Sequence, residues 1–155
     1  MTPKPRLAFF DFACCEGCQL TVLSIGEPLL DLLGQVEIVT WREAMSEKSH
    51  EPAQPRPGAD AFDIAIVEGS ITRDSDIPRL KRIREQAKTL VALGACATLG
   101  GPHVSANNFP PSDLIRIVYG EEGQRLEAGE VRPLGAVVSV DVPIHGCPIN
   151  ADEFL

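Results

Sequence analysis

The chain has 155 residues, 44% of them apolar and 23% charged, with a formal net charge of −8. That balance describes one globular domain with a sizeable core rather than a disordered chain. The acidic excess argues against nucleic acid and anionic membrane surfaces, both bound chiefly through Lys and Arg, and agrees with simple solubility.

Residues 6–12 are apolar and Phe-rich and predict a buried strand. The run is too short for a signal peptide and Asp11 interrupts it; no other stretch approaches the roughly 20 apolar residues of a membrane span. A cytoplasmic protein is expected, where five cysteines read as metal ligands or redox groups sooner than as disulfides. Three of them, Cys14, Cys15 and Cys18, directly follow this strand. Leu20, Leu23, Leu30 and Leu33 then recur at helical spacing, with Gly26 and Pro28 as a break or kink and Gly34 as the end. Residues 35–41 alternate as a second strand. Residues 44–60, with three prolines, predict a surface loop without recognisable chemistry.

Residues 62–67 predict a third strand, closed by Glu68-Gly69-Ser70. Ser75 or Asp76 is expected to cap a helix with Pro78 in its first turn, Ile77, Leu80, Ile83 and Ala87 forming its apolar stripe. Arg79, Lys81, Arg82 and Arg84 read as its solvated surface. Residues 89–93 predict a fourth strand running into Gly94-Ala95-Cys96. A short helix over 113–119, capped by Ser112, and a polar stretch over 120–133 follow. Residues 136–142 predict a fifth strand, ending near His145-Gly146-Cys147-Pro148. Continuous apolar strands alternating with helices predict a parallel α/β sheet covered on both faces, with the cysteine groups in loops at the carboxyl ends of strands one, four and five, where such sheets bind ligands. One domain, residues 1–155, accounts for the chain, without internal repeats.

Cys15-x2-Cys18 alone is compatible with a zinc half-site or a redox dithiol. Two further single cysteines in glycine-bracketed segments strengthen the pattern. Structural zinc usually draws on two close pairs, whereas iron–sulfur clusters accept isolated cysteines, so one pair plus two distant singles favours a cluster. Cys14 is expected to be a buried thiol outside the ligand set, with a tandem Cys14-Cys15 pair as the alternative. Asp11, Glu16 and Glu68 are expected chiefly to bond loop amides or meet solvent, Glu68 being the best placed for more. His50 and His103 read as ordinary loop residues. No Gly-Lys-Ser/Thr phosphate loop and no nucleophile set occurs.

The segments Ala13-Cys14-Cys15-Glu16-Gly17-Cys18-Gln19-Leu20, Val67-Glu68-Gly69-Ser70-Ile71, Gly94-Ala95-Cys96-Ala97-Thr98-Leu99-Gly100-Gly101 and Gly146-Cys147-Pro148-Ile149 together resemble the small subunit of cytosolic nickel–iron hydrogenases, a family homologous to the 20 kDa subunit of respiratory complex I. The resemblance implies a flavodoxin-like fold and one 4Fe–4S cluster, held by Cys15, Cys18, Cys96 and Cys147, nearest the active site of the partner. It implies a large subunit holding a nickel–iron centre, and further iron–sulfur or flavin subunits leading to NAD(P). The complex I branch uses two adjacent cysteines and has a glutamate where Cys18 stands, so Cys18 favours the hydrogenase branch, and Cys-Glu-Gly-Cys-Gln-Leu looks most like the soluble NAD(P)-linked or sulfhydrogenase type. Three departures stand out: Gln19 where many members carry Glu, His145 where relatives often have an apolar residue, and an end at Leu155 where longer relatives continue into a cysteine-rich region. Either a short, one-cluster type or a truncated sequence is expected. The rival readings are a complex I-like dehydrogenase subunit and, in another class, a zinc-stabilised interaction module.

Overall fold

The computed structural model describes residues 3–45 and 61–155. Five strands, β1 (Arg6–Asp11), β2 (Glu37–Thr40), β3 (Phe62–Glu68), β4 (Ala87–Leu93) and β5 (Val142–Ile144), form one parallel sheet in the order β2-β1-β3-β4-β5. This is the flavodoxin-like, doubly wound order, which places ligand chemistry beyond the carboxyl strand ends. The expected α/β fold is therefore present.

The central strands are apolar on both faces because both faces are covered. On one face Ala8, Phe62, Ala65, Val67, Leu90 and Ala92 pack with Leu80 and Ile83 of α3 (Ile77–Gln86) and Ala97 of α4 (Gly94–Leu99). On the other, Leu7, Phe9, Ile66, Val91, Leu93 and Ile144 meet Val22 of α1 (Gly17–Leu23) and Leu29 of α2 (Glu27–Gln35). Trp41 completes that core, its ring stacked on Phe9 with centroids 4.0 Å apart. The remaining helices are α5 (Pro111–Tyr119) and α6 (Ala151–Phe154).

Several expectations change. The break expected at Gly26 is present, with a φ of 84° dividing the stretch into α1 and α2, but the leucines over 20–33 do not mark the buried face: Leu20 and Leu30 are exposed while Val22 and Leu29 are buried. Gly34 lies inside α2 rather than ending it. Asp76 stands at the start of α3 without capping it, because its carboxylate pairs with Arg73 at 3.0 Å. The basic set on α3 is only partly solvated. Arg79 donates to the Asp11 carbonyl at 2.8 Å and lies over the Phe12 ring, and Arg84 pairs with Asp141 at 2.5 Å. Ser112 falls within α5, and residues 120–125 are 3₁₀ helix.

The fifth strand is shorter and later than its hydropathy indicates. Asp141 takes the Leu90 N–H at 2.7 Å with its side chain, occupying the donor that an earlier strand would need, so pairing with β4 begins at Val142. Val137, Val138 and Val140 pack onto the first core without strand pairing. Cys18 and Cys96, expected in loops, stand in the first turns of α1 and α4. Nearly all of the loop expected over 44–60, with His50, lies outside the described residues.

Candidate metal centre

The carboxyl ends of β1, β3, β4 and β5 are neighbours in the sheet, and each delivers part of the site. β1 leads into Cys14 and Cys15 and then into α1, which opens with Cys18. β4 leads into α4 with Cys96 in its first turn, and β5 into the turn holding Cys147, whose bond to Pro148 is cis. All five cysteines are free thiols; Cys18 is buried, while Cys15 and Cys147 are exposed at the sheet edge.

Four thiols converge. Cys96 senses the charges of Cys147 and Cys15, and Cys18 senses that of Cys96. The Ile149 backbone, two residues past Cys147, hydrogen-bonds to Cys18. The Ala95 N–H donates to the Gly146 carbonyl at 2.7 Å, joining the Cys96 helix to the Cys147 turn. Gly94 makes the approach possible: its φ is 82°, and a methyl group there would collide with Cys18 Sγ. Cys14 stands apart, half-buried, its thiol engaged with the Glu16 backbone and perturbed by Glu68, Asp11 and Glu16 but by no other cysteine.

The electrostatics of the site disfavour bare thiolates. Burial pushes the Cys18 thiol up to about 12, with Glu68 adding to the rise against the Ile149 hydrogen bond. Burial first, and the Glu68 charge second, also push Cys14 up to about 12. Cys96 is raised by burial, then by Cys147 and Cys15. A cationic group bound by such thiols displaces their protons, so binding releases protons. Among the described residues no three His, Cys, Asp or Glu side chains are set closely enough to hold a single metal ion. Four sulfur donors, three of them beside glycines (Cys15 at Gly17, Cys18 at Gly94, Cys96 at Gly101), suit a larger inorganic core in their chemistry.

Several surrounding contacts were not visible in the sequence. Arg42, just past β2, pairs with Glu16 and, at 3.2 Å, with Asp11, bracing the cysteine turn from the side. Glu16 needs that support because it takes a φ of 63°, uncommon outside glycine. His145 Nδ1 lies 3.1 Å from Thr98 Oγ1, which itself donates to the Gly94 carbonyl at 3.0 Å. His103 Nδ1 lies 3.1 Å from Ser70 Oγ, which itself donates to the Ala13 carbonyl at 3.3 Å. Sequence offers no sign of Arg42; Thr98 and His145 both stood in noted segments, but their pairing was not visible.

Comparison with known proteins decides the family. Residues 15–155 match the family described as NADH ubiquinone oxidoreductase, 20 Kd subunit. The chain belongs to this family. It is 32% identical over 148 residues to the sulfhydrogenase 2 subunit delta of Pyrococcus furiosus, covering 96% of this chain and 58% of that protein. It is 27% identical over 164 residues to the delta subunit of the NAD-reducing hydrogenase HoxS of Cupriavidus necator, covering 96% and 74%. A solved NAD+-reducing [NiFe]-hydrogenase chain superposes with a TM-score of 0.78 at 28% identity, covering 96% of this chain and 85% of that one. The chain spans only 51% to 58% of the length of several of the curated relatives it matches. No helix among the described residues is long and apolar enough to cross a membrane.

Proposed function

We propose that Cys15, Cys18, Cys96 and Cys147 hold one 4Fe–4S cluster, and that this chain is the electron-transfer small subunit of a soluble, cytoplasmic nickel–iron hydrogenase. The convergence of four thiols from three strand ends carries the reading. The hydrogenase relatives, two of them described as NAD-reducing, support the assignment of the assembly. A 4Fe–4S cluster supplies one-electron transfer when bound, and the protein's share is placement and control of potential through burial, charge and hydrogen bonds. Here α1 and α4 hold Cys18 and Cys96 on buried, packed elements, while Cys15 and Cys147 face outward. Leu20, Leu99 and Val104, on the segments that follow Cys18 and Cys96, are 52%, 63% and 43% exposed. This is the surface assigned to the large subunit, whose nickel–iron centre would receive or supply the electrons, with further iron–sulfur or flavin subunits completing the route to NAD(P).

The test is H2-dependent reduction of a viologen dye by the complex that co-purifies anaerobically with this chain. Activity is the expected result. A brown preparation that retains its large partner but shows no activity supports instead the complex I-like reading, which the family description favours. A colourless, zinc-containing preparation overturns the cluster itself.

A further inference from the structure

Glu68 ends β3, between the two strands that deliver Cys15/Cys18 and Cys96, and is only 2% exposed. Burial of a carboxylate is costly unless it is fully engaged. Its two oxygens accept the backbone N–H groups of Cys18 and Gln19, each at 3.2 Å. These amides open α1 and have no intrahelical acceptor, and the residue preceding α1, Glu16, makes no side-chain cap. A side chain from another strand therefore does what a local cap does elsewhere.

The backbone around Glu68 grips the same turn. The Phe12 N–H donates to the Glu68 carbonyl at 2.9 Å, and Ala13 and Ser70 exchange hydrogen bonds at 3.1 and 2.9 Å. Gly69, with a φ of 97°, permits this contact, since a Cβ there would stand 2.8 Å from the Phe12 carbonyl carbon. The 68–70 backbone thus fixes the chain just before Cys14 and Cys15, while the Glu68 side chain fixes Cys18 just after them.

We infer that Glu68 is the positioning residue of the cysteine turn: it anchors the first turn of α1, and Cys18 with it, to the end of β3, and sets a fixed negative charge beside the ligand thiols. This rests on the cluster reading above and adds a residue that is not itself a ligand. Two consequences separate it from a purely structural role. Loss of both acceptor oxygens loosens Cys18. Loss of the charge alone makes an added electron easier to accept, because net charge near a cluster sets its potential.

The experiment uses the anaerobically purified complex with wild-type chain, Glu68→Gln, Glu68→Ala and the exposed control Glu85→Gln. Iron and acid-labile sulfide content, the EPR spectrum of the reduced cluster, its midpoint potential and the thermal unfolding midpoint are measured. Glu68→Gln keeps the volume and one acceptor oxygen, so it is expected to retain its iron while its midpoint potential moves positive and its g-values change. Glu85→Gln removes the same charge far from the turn and should leave both at wild-type values. Glu68→Ala should lose much of its iron. Wild-type iron, potential and spectrum in both Glu68 variants overturn the inference while leaving the cluster standing. A wild-type chain without iron and sulfide overturns the cluster reading and this inference together. If Glu68→Ala fails to fold, Glu68→Gln still decides the matter through its potential.

Discussion

At the scale of single residues, the adjacent thiols Cys14 and Cys15 differ most. Cys15 is exposed and coupled to Cys96, whereas Cys14 is half-buried, bonded to the Glu16 backbone and coupled to no other cysteine. Replacing Cys15, Cys18, Cys96 or Cys147 by Ala is therefore expected to abolish or strongly reduce the iron–sulfur absorption near 400 nm, while Cys14→Ala keeps it. Iron and sulfide analysis of the five purified variants checks this. Full cluster content in Cys18→Ala, with loss in Cys14→Ala, replaces the proposed set by the tandem pair. The pattern of cysteines was legible in sequence because each follows an apolar strand. The segregation of Cys14 was legible only as a statistical preference for burial, since adjacency in sequence says nothing about which way two neighbouring side chains point.

Among the elements, the sheet itself could be read well and its last strand badly, for a definite reason. The central strands are buried on both faces, so β1, β3 and β4 appear as unbroken apolar runs. The apolar run over 136–140 looks the same, yet serves as cover for the first core, because the Asp141 side chain has taken the Leu90 amide. The break at Gly26 was legible, but the leucine repeat over 20–33 misled about the buried face: Leu20 and Leu30 point to solvent, because the repeat counts along one axis that Gly26 divides in two. The joint between α4 and the Cys147 turn rests on non-local bonds that no sequence window reveals, those of His145 with Thr98 and of Ala95 with Gly146. Thr98→Val removes the hydroxyl that meets both His145 and the Gly94 carbonyl at nearly constant volume. The expected cost is about 1 kcal/mol of stability, the usual net value of a partly exposed hydrogen bond, together with faster cluster loss in air. Denaturant unfolding and the decay of absorption near 400 nm measure the two effects; wild-type values of both in Thr98→Val would show that the joint is held by the backbone alone.

For the whole molecule, the thiols make stability depend on pH in a way that the proposed cluster is expected to weaken. Cys14 and Cys18 are held up to about 12 in the metal-free fold, against an ordinary value of 9.0. As pH rises through the ordinary value, the unfolded chain releases these protons while the folded chain keeps them. The unfolded state then binds fewer protons, so stability falls with rising pH between these two values and is flat below the lower one. The acid limb has the opposite sign. Asp141 is held below the usual carboxylate range, first by the Leu90 N–H and then by Arg84, so its contribution is present above that range and fades as pH falls through it. Ligand thiolates in the loaded form carry no protons to lose, and loading itself releases them, so rising pH favours the loaded chain over the metal-free one. The urea midpoint of the metal-free chain is therefore expected to fall from pH 8 to pH 10, and that of the loaded chain to fall less. Cys14→Ala removes one of the three raised thiols without touching the proposed ligands, so it should lessen the alkaline fall while leaving the acid limb in place. A metal-free chain with the same midpoint at pH 8 and pH 10 would mean that these thiols meet water freely, and that the pocket closes around them only when the cluster is bound.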